Sequence, residues 1–230
     1  MEKRKRSLAI DILNGSMWDK ILRYALPVAA TGILGQLFNA SDIAIVGNFA
    51  QGDTVAAVAA VGANGPVIGL LLNIFIGIAL GANVVIANAI GRGDSNTVSR
   101  AVHTSIVAAV IGGIIVGALG QLVAEPVLSM LQVPEDVFPL ALKYMRIYLL
   151  GLPVIFLYNF EAAIFRSAGD TKTPLIALAL SGVLNVILNL FFVVVLNKTV
   201  DGVAIATVLA NVVSSVVLLR RLLRSELFIH

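Results

Sequence analysis

The sequence predicts an all-α membrane protein, folded as a bundle of six transmembrane helices. Composition, the length of the apolar runs and the placement of basic residues lead to this class. Of 230 residues, 59% are hydrophobic and 13% charged, against roughly 45–50% and about 25% in a soluble domain. Mean hydropathy is +0.97. Six runs reach the roughly 20 apolar residues that a bilayer-spanning helix needs. None of them alternates over about ten residues, as the strands of a membrane barrel do.

The first run, 21–48, carries Arg23 and Tyr24 near its start and one carboxylate, Asp42, deep inside. The basic start, Met1 to Arg6, has the character of a secretion signal's first segment. The apolar stretch that follows begins late, is too long and has no small-residue cleavage site, so it reads as a retained span. Trp18 and Lys20 suit an interfacial anchor just before it. The second run, 54–90, exceeds an upright helix and must tilt, bend at Pro66 or project from the bilayer. The third covers 98–122, and the fourth, 138–164, is interrupted at Gly151 and Pro153. Runs 174–196 and 202–219 complete the set. The chain therefore divides into a basic segment 1–20, a helical region 21–219 and a charged segment 220–230.

Loop charges set the orientation. The basic start, Arg92 with Arg100, Arg166 with Lys172, and Arg220, Arg221 and Arg224 fall on alternate sides of successive spans, and so share one face. The positive-inside rule makes that face cytoplasmic, together with both termini. The opposite loops hold Asp53, then Glu125, Glu135 and Asp136, then Lys198 with Asp201. Lys143 and Arg146 run against this pattern and are expected to snorkel outward from the start of span four.

Several function classes drop out. The chain has no cysteine, and His103 and His230 are too few and too scattered for an imidazole metal site. The net charge of +3 is modest, which argues against nucleic-acid binding. Gly91-Arg92-Gly93-Asp94-Ser95 contains an adhesion-type tripeptide on the wrong side of the membrane, and Gly169-Asp170-Thr171-Lys172-Thr173 lacks the glycine spacing and preceding strand of a phosphate loop. Nothing in the chain reads as an enzyme, and no cofactor is implied.

Asp42 stands out on physical grounds alone. A carboxylate in hydrocarbon is costly and persists where it faces a protein interior or wet cavity, commonly on an ion or proton path. Helical spacing places Thr31, Gly35, Asn39 and Asp42 on one face of span one, with Gln36 beside them. Ser181, Asn185 and Asn189 recur every fourth residue in span five; Thr207, Asn211 and Ser214/Ser215 form a similar stripe in span six. Such residues often serve simply as hydrogen-bonding glue between helices. Asp42 favours a polar pocket, because it needs polar partners. We read Thr31, Gln36, Asn39, Ser181 and Asn211 as its cavity residues. Glu161 is a second intramembrane carboxylate, expected to pair with Arg166 or contact headgroups, with a coupling role as the alternative. Gly65, Gly69, Gly77 and Gly81 in span two, and Gly113 and Gly117 in span three, read as close-packing positions.

Asn39-Ala-Ser-Asp42-Ile-Ala-Ile-Val-Gly47 and Val55-Ala-Ala-Val-Ala-Ala-Val-Gly62 resemble the first two spans of the multidrug and toxic compound extrusion (MATE) transporters. Arg166-Ser-Ala-Gly169-Asp170-Thr-Lys-Thr-Pro174 and Asp201-Gly202-Val-Ala204-Ile-Ala206-Thr207 resemble the family before span five and at the start of span six. The matches run in order along the whole chain, and the family's proline in span one stands here as Pro27. The resemblance implies one lobe of a two-lobed, twelve-helix transporter. It implies a secondary exporter of cationic small molecules from the cell membrane, driven by H⁺ or Na⁺. In some members one lobe couples through an Asp on span one, an Asn and an Asp a turn apart on span five, and a Thr on span six. Asp42, Asn185 and Thr207 match that set, and Asn189 replaces the second aspartate. Na⁺ at Asp42, Asn185 and Thr207 remains feasible but should be weaker for the missing charge, which tilts the expectation towards protons. Pro27 is the expected hinge.

The chain stops after six spans. The expected partner is a second lobe, either a C-terminal half lost by a cut in the inter-lobe linker or a second copy of the chain. The abrupt charged end favours the cut. The rival readings are a lipid-linked oligosaccharide flippase of the same superfamily, which would want cationic residues in its central cavity, and a non-transporting membrane scaffold.

Overall fold

The computed structural model describes residues 17–225. Among them the chain forms α1 (Met17–Phe49), α2 (Thr54–Gly91), α3 (Ser95–Met130), α4 (Phe138–Ser167), α5 (Lys172–Leu190) and α6 (Val200–Leu223). A π-helical turn, Phe191–Val195, prolongs α5. All six helices are long and apolar enough to cross a membrane. Of the terminal segments expected at 1–20 and 220–230, residues 1–16 and 226–230 lie outside the described residues, whereas 17–20 belong to α1 and 220–223 to α6.

The same two-residue device starts three of these helices. Gly52, Gly93 and Gly169 have φ of 92°, 68° and 77°, in the left-handed region that glycine enters without strain. An aspartate follows each one. Asp53 accepts from the Ala56 amide at 2.9 Å, Asp94 from the Thr97 amide at 3.0 Å, and Asp170 from the Thr173 amide at 2.9 Å. Each carboxylate thus satisfies a donor that the helix leaves unpaired. The adhesion-like and phosphate-loop-like stretches of the sequence are two of these capping turns.

α4 is the central helix. Of its most apolar 18-residue window 67% is buried, against 0% in α1. The interruption expected at Gly151 and Pro153 does not occur: α4 is continuous, with Pro153 inside it. Small residues make room for it on both sides. A Cβ on Gly113 of α3 would lie 2.4 Å from Pro153 Cα and 3.0 Å from the Leu152 carbonyl oxygen. A Cβ on Gly151 would lie 2.4 Å from Val208 on α6. The close-packing expectation thus holds for α3. It fails for α2, where Gly65, Gly69, Gly77 and Gly81 have nothing within 4 Å of a Cβ position. α2 is a single 38-residue helix, about 57 Å at 1.5 Å per residue, well beyond a hydrocarbon core of about 30 Å.

The helix ends are tied in two layers. At the basic end the Tyr24 hydroxyl donates to the Arg166 carbonyl at 3.4 Å, and Arg221 donates to Thr173 Oγ1 at 2.6 Å. At the opposite end the Gln51 amide donates to Asn197 at 2.6 Å. There Lys143 meets Asp201 at 3.0 Å and Arg146 meets Glu125 at 3.8 Å. Both cations therefore bind carboxylates of neighbouring helices, where the sequence suggested snorkelling. Lys198 also approaches Asp201, at 3.8 Å.

Candidate functional site

Asp42 lies near the end of α1 and is 4% exposed. Its Oδ1 accepts from the Asn189 side-chain amide at 2.6 Å, and its Oδ2 lies 3.2 Å from the Thr207 hydroxyl. The Asn189 amide also donates to Asn185 Oδ1 at 3.2 Å, and the Asn185 amide donates to Thr207 Oγ1 at 3.3 Å. Three helices thus close a ring of four polar side chains. Helical geometry explains the convergence: Asn185 and Asn189 are one turn apart on α5 and aim at the same point. The Thr207 hydroxyl is also 3.0 Å from the Val203 carbonyl of its own helix, so its one proton is shared between two acceptors. Asn189 Oδ1 is buried without a partner. The ring therefore holds a carboxylate, two amide oxygens, one of them free, and a hydroxyl, which are oxygen ligands suited to a hard monovalent cation or to a proton on Asp42.

Asp42 also borders a cavity of about 710 Å³. Thr31, Gln36 and Asn39 line it along α1, as the stripe on span one suggested. Ser181 and Asn211 do not line it. Ser181 donates to the Leu178 carbonyl at 3.1 Å, and Asn211 to the Thr207 carbonyl at 2.9 Å. Each bonds back onto its own helix, the ordinary local alternative for short polar side chains in a helix. Pro27 lies inside α1, and the Thr31 hydroxyl donates to its carbonyl at 2.8 Å.

Glu161 is fully buried between α4 and α6. The Ser215 hydroxyl donates to its Oε2 at 3.0 Å, and its Oε1 has no partner. The expected pairing with Arg166 is absent, because Glu161 points into the α4–α6 interface. Arg166 itself lines the cavity, together with Tyr144, Tyr148, Tyr158 and Asn159. The sequence marked Arg166 only as a loop charge and a partner for Glu161 and gave no part to the other four, although Tyr144, Tyr148, Asn159 and Arg166 share one helical stripe. Assuming a break at Gly151 and Pro153 hid that continuity. Among the described residues no three His, Asp or Glu side chains gather as a metal cluster.

The MatE family model matches residues 27–191, nearly three-quarters of the chain. The chain belongs to the MatE family. It is 26% identical over 203 residues to the probable multidrug resistance protein YpnP of Bacillus subtilis, covering 88% of this chain and 45% of that one. It is 28% identical over 215 residues to the probable multidrug resistance protein NorM of Thermotoga maritima, covering 91% and 45%. A solved structure described as the outward-facing conformation of a multidrug resistance MATE family transporter superposes with a TM-score of 0.85 at 24% identity, covering 97% of this chain and 49% of that one. That last likeness shows the fold. This MatE chain is a multi-pass membrane protein, and it spans about half the length of the curated relatives it matches. Family members are transporters, which fits the lack of an enzyme-like motif.

Proposed function

We propose that this chain forms one lobe of a secondary active exporter of cationic small molecules, coupled to H⁺ or Na⁺ and completed by a second lobe. The observation that carries the reading is the buried ring of Asp42, Asn185, Asn189 and Thr207 at the edge of a large cavity. A bare carboxylate inside a membrane must be compensated, and here every compensating donor comes from α5 or α6. A proton or Na⁺ arriving at Asp42 competes with those donors. Na⁺ would use Asp42, Asn185 and Thr207, with the unpartnered Asn189 oxygen available once that amide turns. Either cation weakens the tie between α1 and the α5–α6 pair. Pro27 lacks the amide that would bond the Arg23 carbonyl, so α1 bends most easily there. The cavity face then changes shape and releases its cationic load. Glu161, buried with one free oxygen, is a second candidate for the same coupling.

The basic end of the bundle is taken as cytoplasmic by the positive-inside rule. The second lobe is either a C-terminal half or a second copy of the chain. Crosslinking in native membranes distinguishes them: a doubled species made of this chain alone means a homodimer.

The deciding experiment reconstitutes the chain, with and without a second lobe, in liposomes and follows efflux of a fluorescent cation under imposed H⁺ and Na⁺ gradients. Gradient-driven efflux that is lost in a well-folded Asp42→Asn variant is expected. Efflux at the wild-type rate and with unchanged ion dependence in that variant overturns the coupling role of Asp42.

A further inference from the structure

The cavity carries opposite charges at its two ends. Asp42 borders it near the end of α1, whereas Arg166 borders it at the last turn of α4. Tyr24 touches the Arg166 backbone, and 18 residues of α1 separate Tyr24 from Asp42, about 27 Å along the helix. Asp42 therefore cannot serve as the partner of Arg166. The nearer carboxylates are engaged elsewhere: Glu161 faces Ser215 across the α4–α6 interface, and Asp170 caps α5 through Thr173. Among the described residues the Arg166 guanidinium has no ion pair, although Arg166 is partly buried and borders a preformed cavity. A helix C-terminus favours a cation, but its dipole does not supply the paired oxygen acceptors that a guanidinium takes. Tyr158 and Asn159 line the same region, providing an aromatic wall and a side-chain amide.

We infer that the Arg166 end of the cavity is an anion-recognising subsite, which takes the carboxylate or phosphate of a substrate that enters from the basic end. The inference rests on the exporter reading and refines its substrate class: molecules with an anionic group beside an apolar or cationic body are preferred over simple cations. The planar guanidinium grips such groups with paired hydrogen bonds, which an ammonium does not reproduce. The two ends then act on different parts of the cycle, with Asp42 exchanging the coupling ion and Arg166 selecting the cargo.

The test uses two probes that differ in one group, a rhodamine with a free benzoate and its methyl ester. Each is titrated by fluorescence anisotropy against the purified chain in phosphatidylcholine nanodiscs. The acid is expected to bind about tenfold more tightly than the ester, the range of a charge-assisted hydrogen bond. Arg166→Gln should erase the difference and Arg166→Lys should keep part of it. Arg100→Gln, which removes an exposed charge outside the cavity, should leave it intact. Equal affinities in the wild type, or a preference that survives Arg166→Gln, overturn the subsite and leave the exporter reading standing. Failure of both dyes to bind overturns the subsite, while the exporter reading stands or falls separately on the liposome efflux measurement. A parallel series with phosphatidylglycerol separates substrate from lipid. If Arg166 confers a phosphatidylglycerol-dependent thermal stabilisation with no discrimination between the dyes, the guanidinium serves a headgroup and the proposal falls.

Discussion

Gly113→Ala tests the packing around α4 most directly. The added Cβ would sit 2.4 Å from Pro153 Cα, 2.8 Å from Pro153 N and 3.0 Å from the Leu152 oxygen. Ordinary carbon–carbon contact begins near 3.5 Å, so α3 and α4 must part by about 1 Å at this point. All three obstructing atoms are backbone, and no side chain can swing aside to absorb the clash. The opening spreads, because a Cβ on Gly117 would already meet the Leu149 oxygen at 2.7 Å. A radial gap of about 0.5–1 Å forfeits a quarter to a half of each dispersion contact along the interface. Overpacking of this kind costs about 1–3 kcal/mol, or about 2–12 °C in Tm for a chain of this size. Gly77→Ala on α2 is the matched control, since its Cβ has nothing within 4 Å. Replacing glycine there should be neutral or stabilise by up to about 1 kcal/mol through the unfolded chain. Thermal unfolding of both variants in one detergent, followed by circular dichroism, reads the difference. Equal Tm values for the two variants would refute the packing argument.

Asn189→Ala removes the 2.6 Å donor from a buried carboxylate and should cost about 2–3 kcal/mol in the same assay; an unchanged Tm would mean that Asp42 finds another donor. Ser215→Ala strands the buried Glu161 and should cost about 1–3 kcal/mol, whereas Glu161→Gln should be neutral or stabilising, since the amide needs less compensation. Asp94, outside the spans, has its carboxyl held below the usual range by bonds from the Thr97 side chain and amide. A lowered folded pKa means that its contribution is present above the unfolded value of 3.8 and lost as pH falls through the folded one. Hydrogen exchange at the start of α3 should therefore quicken below about pH 4, while Asp94→Asn should cap the helix without that pH dependence.

The helices were legible because apolar length in a membrane leaves the backbone little alternative. Each run became a helix, extended at its ends where capping aspartates and projecting turns carry no hydropathy signal. The Asp42 partners were legible too, since helical spacing put Asn185 and Asn189 on one face and the family resemblance paired them with Thr207. Proline and glycine misled where context decides. Pro153 reads as a break, yet Gly113 gives α4 space to run past it unbroken. Gly65 and Gly69 read as packing sites, yet they border the cavity. Ser181 and Asn211 share the right faces, but a short side chain that can reach its own helix backbone does so. Arg166 was counted as a loop charge, since only the fold shows that its end of α4 opens on the cavity.

All four groups of the Asp42 ring, and the proline nearest the far end of its helix, belong to one stretch of 181 residues from Pro27 to Thr207. Every group of the ring comes from this chain. If the ring responds to ions as proposed, that response is contained in this chain and can be titrated with Na⁺ or acid through its effect on unfolding temperature.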